Sequence, residues 1–291
     1  MNAALARLGP TLGLLYGSTF WGVMWYPSRL LEGAGMHGAW LTLVGYGAAF
    51  LVFMPFARLS VTAALRHRAD VSALMLAAGW TNLAFVLAVL EGEVVRVVLL
   101  FYLSPIWAVL LGRWLLGEWL SQTTWLMLGL GLGGALVMLW DPAVGRVPLN
   151  RADLLALTAG MAFALNNVMT RRITGLGIRA KTQLAWLGVV VVSAAFILIQ
   201  PIALPDASAS AWWMTVLLGV CGFLLSTLAV VYGVTHMPVQ RSAVIMLFEL
   251  IVGAASAWWL AGEVVTLREW IGGILILSAA LIAIVQEEKA K

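Results

Sequence analysis

Charge is what this chain has least of. Asp, Glu, Lys and Arg make up 10% of its 291 residues, against about 25% in an ordinary soluble domain, so a polar shell around a water-soluble core is excluded. Cysteine is nearly absent. Cys221 is alone and lies inside an apolar run, which excludes an intrachain disulfide and leaves no redox pair. The three histidines, His37, His67 and His236, are scattered, and no group of His, Cys, Asp and Glu has metal-ligand spacing, so no metal or other cofactor is expected. Nucleophile–base pairs and phosphate-cradling loops are also missing, and the chain does not read as an enzyme.

What is abundant is apolar surface: 63% of the residues are hydrophobic and the mean hydropathy is +0.99. A spanning helix needs about 20 mostly apolar residues. Ten stretches qualify approximately: Thr11 to Leu31, Ala39 to Phe56, Val71 to Leu90, Val94 to Leu116, Gln122 to Trp140, Asp153 to Ile173, Gln183 to Gln200, Trp212 to Val234, Ser242 to Leu260 and Leu267 to Gln286. Their connections are too short for a soluble domain, so the expectation is an all-α membrane protein of ten transmembrane helices in a lipid bilayer. Arg7 before an apolar run resembles a signal peptide, but the run is long, holds Tyr16, Trp21 and Trp25 and lacks a small-residue cleavage pattern, so it is read as the first span.

The net charge of +4 orients the chain and does not point to nucleic acid. With both termini in the cytoplasm, Arg7, Arg58, Arg66, Arg68, Arg113, Arg171, Arg172, Arg179, Lys181, Arg241, Lys289 and Lys291 fall inside, and Arg29, Arg96, Arg146, Arg151 and Arg268 fall outside. That division, 12 against 5, is the one the positive-inside rule expects.

The chain repeats itself. Shifted by 145 residues, Arg96 falls on Arg241, Ile106 on Ile251, Trp114-Leu115 on Trp259-Leu260, Gly117-Glu118 on Gly262-Glu263 and Trp125 on Trp270. Each copy reads as an apolar helix, a Gly-Glu turn, a hydroxyl residue and a second apolar helix. Ser121 and Thr266 stand at the N-cap positions, and Thr266-x-x-Glu269 has the spacing of a capping box. Glu118 and Glu263 then meet the positive end of a helix dipole, a structural role. Residues 1–140 form one repeat, 141–152 a connecting loop and 153–291 the second repeat. Five spans per repeat, an odd number, make the repeats insert in opposite senses, with a substrate site expected near the midplane between them. The earliest spans of the two repeats align at 142 residues instead, with Trp21 on Phe163 and Arg29 on Arg171.

Of the 13 acidic residues only Glu249 lies within a span. A carboxyl there either serves a substrate or a proton or hydrogen-bonds a neighbour and ties helices together. The repeat maps Ser104 onto Glu249, and Pro105 beside Ser104 removes a mid-span hydrogen bond and exposes a carbonyl. Tyr102, Ser104 and Trp107 at that break are candidate ligand contacts, as are Trp80 and Asn82 in the third span, Phe163, Asn166 and Asn167 in the sixth and Tyr232 in the eighth. Interhelical hydrogen bonding is the equal alternative for the amides.

These features resemble the drug/metabolite transporter superfamily and its EamA-type ten-helix members. The resemblance is carried by the two five-helix repeats, by Trp21-Gly22 with Arg29 ending the first span, and by the hairpins ending in Gly117-Glu118 and Gly262-Glu263. It is also carried by Phe248-Glu249-Leu250-Ile251 and Leu103-Ser104-Pro105-Ile106; Leu250 stands where the family often has proline. Tyr102-Leu103-x-Pro105, Trp80 and Phe163 are similar to the YddG-type amino acid exporters of this superfamily. The resemblance implies a bacterial inner-membrane exporter of small metabolites, amino acids including aromatic ones foremost, working by alternating access; a passive channel or facilitator and a proton-coupled exporter of other compounds are the alternatives. Together with the polar groups inside the spans, it leaves Trp80, Asn82, Tyr102, Ser104, Phe163, Asn166, Asn167, Tyr232 and Glu249 as the substrate-binding candidates; Glu249, as the carboxyl within a span, is also the candidate for coupling.

Overall fold

In lipid a backbone must satisfy its N–H and C=O groups within its own segment, and a helix does so. The computed structural model describes residues 3–92, 94–119, 121–140, 148–262 and 265–289. Every regular element among them is helical. In chain order these are α1 (Ala3–Gly33), α2 (Gly38–Phe53), a 3₁₀ turn (Met54–Phe56), α3 (Val61–Arg66), α4 (Arg68–Glu91), α5 (Val94–Phe101), α6 (Ser104–Leu116), α7 (Gln122–Met138), α8 (Arg151–Arg172), α9 (Ile178–Ile199), α10 (Ala209–Leu217), a π-helical turn (Leu218–Phe223), α11 (Leu224–His236), α12 (Val239–Met246), α13 (Phe248–Ala261) and α14 (Leu267–Lys289). Helix covers all ten apolar stretches. Seven of the helical stretches are long and apolar enough to cross a membrane: 38–56, 68–88, 96–116, 151–172, 178–199, 209–236 and 239–260.

The first helices of the two repeated hairpins end alike. Gly117 and Gly262 end α6 and α13 in the left-handed region at φ 67° and 69°, which a residue without Cβ adopts at no steric cost. Ser121 then accepts a hydrogen bond from the Thr124 amide at 3.1 Å. At the second hairpin Thr266 and Glu269 close a reciprocal box: the Thr266 amide donates to Glu269 Oε2 at 2.6 Å and the Glu269 amide to Thr266 Oγ1 at 3.3 Å. Glu263 and residues 141–147 of the inter-repeat loop lie outside the described residues.

Contacts between the repeats are reciprocal. α8 packs on α4 and α6, and its counterpart α1 packs on α11 and α13; α9 lies on α4 as α2 lies on the π-helical turn; α7 and α14, the last helix of each repeat, lie against one another. The shared core is therefore built by both repeats at once, with Leu14, Val109, Met127, Val230, Val244 and Ala279 in one cluster.

Two charged groups lie deeper than the sequence implied. Lys181, expected in a basic cytoplasmic loop, is instead in the first turn of α9, 2% exposed, with Nζ donating to the Thr170 carbonyl at 2.5 Å. The helix begins at Ile178 and carries the lysine inward against the end of α8. Arg96 and Asp153 form a fork, Nε to Oδ1 and Nη2 to Oδ2, both 2.7 Å, with both side chains buried. Asp153 also closes the capping box with Asn150 that starts α8. This pair pins α5 to α8.

Candidate functional site at the paired helix breaks

Both repeats interrupt a span at the same place. Pro105 cannot donate to the Phe101 carbonyl, and the rod breaks at Tyr102 and Leu103 between α5 and α6. One repeat later Leu250 has its N–H, yet the rod breaks at Leu247 between α12 and α13, where Leu250 donates to the Leu247 carbonyl at 3.0 Å in a tighter i→i−3 turn. Proline is thus not what makes the second break.

Each break frees the carbonyl that the missing i→i−4 bond would have used, and the helix across from it answers. Ser18 of α1 reaches the Met246 carbonyl at 3.4 Å. At the first break Gly160 of α8 lies against the Phe101 carbonyl so closely that a Cβ there would stand 2.6 Å from the oxygen. In the 142-residue register Ser18 and Gly160 are equivalent positions.

Glu249 occupies the first turn of α13 and is half-buried. The Tyr102 side chain, from the other break, lies within electrostatic reach of its carboxyl. Gly22 of α1 closes one side, with the Glu249 carbonyl 2.7 Å from where its Cβ would be. Two turns on from Glu249, Ser256 donates to the Gly22 carbonyl at 3.0 Å and accepts from the Trp25 indole at 2.8 Å. Phe101 stands between Tyr102 at 5.6 Å and Phe163 at 5.5 Å. Ser104 starts α6 and is buried; that helix start has no side-chain cap.

The other sequence candidates divide. Asn166 lies on α8 with its carbonyl oxygen buried and unpartnered, and Asn167 beside it is buried. Asn82 is bound elsewhere: its Oδ1 accepts from Tyr46 at 2.8 Å and its Nδ2 donates to the Ala78 carbonyl at 2.9 Å. Tyr46 stacks on Phe223 at 4.5 Å, and Phe223 on Trp21 at 5.6 Å, an aromatic column that the sequence did not assemble. Trp80 is 39% exposed on α4. Tyr232 packs in the α1–α11 seam, its hydroxyl 3.0 Å from where a Cβ of Gly9 would be, and is not with Tyr102 and Glu249.

Glu118 meets a helix start, but not the one expected. It does not cap α7, where Ser121 already serves. Its Oε1 lies 2.7 Å from Arg171 Nε at the end of α8, and its Oε2 accepts from the Val239 amide at 3.2 Å. Val239 opens α12, whose N-cap is Pro238 and offers no side-chain acceptor. A glutamate of the first repeat therefore caps a helix of the second. The neighbouring Arg172–Asp70 pair at 3.4 Å puts the start of α4 at this same end.

Long apolar helices broken at matched depths around one carboxyl define a helical membrane protein with a polar centre. Residues 9–140 and 150–285 match the EamA-like transporter family. The chain belongs to that family. It is 27% identical over 203 residues to an uncharacterized transporter of Archaeoglobus fulgidus, covering 70% of this chain and 72% of the other. It is also 26% identical over 248 residues to a riboflavin transporter of Rhizobium johnstonii, covering 81% and 77%. A solved crystal structure with 17% identity shares the fold over 97% of this chain and 98% of its own, with a TM-score of 0.75.

Proposed function

We propose that this transporter is a bacterial inner-membrane exporter of small metabolites, amino acids including aromatic ones foremost. In this reading the chain crosses the membrane ten times as two inverted five-helix repeats with both termini in the cytoplasm, and a central cavity opens alternately to either side. The observation that carries it is the pair of matched helix breaks, with Glu249 in the first turn of α13 and Tyr102 and Ser104 at the break between α5 and α6. A zwitterion has complementary needs: its ammonium suits Glu249, while its carboxylate suits the start of α6 beside Ser104, where no side chain caps the helix and the helix dipole favours negative charge. The Asn166 carbonyl oxygen and Asn167 supply further polar contacts. Phe163, Tyr102 and Trp80 are the aromatic surfaces for a side chain. Glu249 also serves as the coupling group, since a carboxyl alternately wet and enclosed can load and release a proton.

The test is counterflow in proteoliposomes with phenylalanine, threonine and riboflavin. Saturable, trans-stimulated amino acid flux is expected; flux that stays linear with concentration would establish a channel, and movement of riboflavin alone would replace the substrate class. Topology is tested separately with single cysteines. Those at Arg66 and Arg179 should be labelled from the cytoplasm and one at Asp206 from outside; labelling of the first two from opposite sides contradicts inversion.

A further inference from the structure

The end of the molecule where Glu118 meets Arg171 has the make-up of a carboxylate site that the protein fills with its own side chain. Two donors hold the Glu118 carboxylate, the Arg171 guanidinium at 2.7 Å and the Val239 amide of the α12 start at 3.2 Å, and the side-chain amide of Gln240 lies nearby. A point one methyl above Gly112 is 3.5 Å from Glu118 Oε2 and 3.7 Å from Gln240 Nε2. That nitrogen is buried and has no partner, and Gln240 as a whole is 3% exposed. The Thr235 hydroxyl is likewise buried without a partner, while the Thr235 carbonyl accepts from Arg171 at 3.5 Å. Lys181 lies within electrostatic reach of Arg171. Arg171 thus sits among a second cation and a residue with an idle hydroxyl, and an idle amide follows Val239 at the α12 start, so this end holds more donors than the Glu118 carboxylate uses.

The counterpart end is held differently. Arg29, equivalent to Arg171, lies over the Trp25 ring at 5.3 Å and makes no ion pair among the described residues. Trp25, equivalent to Asn167, is tied to Ser256.

We propose that Glu118 is a displaceable plug: a carboxylate-bearing substrate takes its place on Arg171, the α12 start, Gln240 and Thr235, and so opens this end of the molecule. The inference rests on the proposed transport of amino acids and adds a transit site at the Arg171 end. Substrate binding then supplies the opening free energy, because only a ligand that replaces the hydrogen bonds of Glu118 distinguishes the open from the closed state. A neutral analogue leaves Glu118 in place.

The experiment uses the full chain in proteoliposomes, with Cys221→Ala and Met237→Cys. Met237 is buried beside the α12 start, so its labelling by a membrane-impermeant maleimide reports opening. Glu118→Gln should raise the labelling rate at least about tenfold, the weight of one charge-assisted hydrogen bond. With Glu118 intact, phenylalanine should accelerate labelling and phenylalaninamide should not. Gln240→Leu should cut the acceleration several-fold. Equal labelling in Glu118→Gln, or equal acceleration by acid and amide, overturns the proposal. Phenylalanine counterflow in the same vesicles judges the substrate reading separately: transport with no carboxylate-dependent opening sinks the plug alone.

Discussion

The two helix breaks hold equivalent places and are made of different residues. At the first, proline removes a donor and a glycine across the interface lets the freed carbonyl approach. At the second, leucine keeps its donor, turns it to a tighter bond, and a serine hydroxyl takes the carbonyl left over. The comparison teaches that the break belongs to the packing of α1 on α13 and of α8 on α6, and that local sequence only chooses how it is satisfied. It also shows where the repeats diverge: Ser104 answers Glu249, so a carboxyl stands at one break and a hydroxyl at the other.

That comparison is breakable by mutation. The largest effect is expected at Gly160→Ala, where the new Cβ meets backbone that cannot swing away; overpacking of this kind costs about 1–3 kcal/mol and should lower the thermal unfolding midpoint in detergent most. An unchanged midpoint would mean that α8 does not press on the first break. Leu250→Pro should be milder, about 1 kcal/mol for one backbone hydrogen bond, because the rod is already broken there. Loss of folded protein in that variant would show the second break to need its N–H. Smallest is Ser18→Ala, about 0.6 kcal/mol, the average for side-chain hydrogen bonds between membrane helices.

Much of the helical layout was legible because apolar length marks helix directly and the repeat marks equivalent turns. Gly117, Ser121, Thr266 and Glu269 sit where capping chemistry requires. The first break was legible through Pro105; the second carried only the signal of its repeat partner, since a break imposed by a neighbouring helix leaves no residue signature of its own. The partners of charged residues were harder. Arg96 is a charge opening an apolar stretch, and Asp153 stands at N3 of a helix start, but nothing local says that they meet across 57 residues. Glu118 shows the same gap: the helix-start chemistry was right and the helix was α12. The Tyr46–Phe223–Trp21 column joins aromatics from three distant stretches, and sequence spacing carries no such information.

Glu249 is where one measurement decides most. Counterflow and uptake driven by an imposed pH gradient should be compared in wild-type protein and in Glu249→Gln, an isosteric change that removes the charge. If Glu249 both holds the substrate ammonium and couples the proton at the paired breaks, the variant loses acceleration by the gradient and its counterflow weakens at every pH; loss of acceleration with counterflow intact would leave coupling as its one role. Wild-type behaviour in both assays would contradict the central claim and leave Glu249 with a structural role alone.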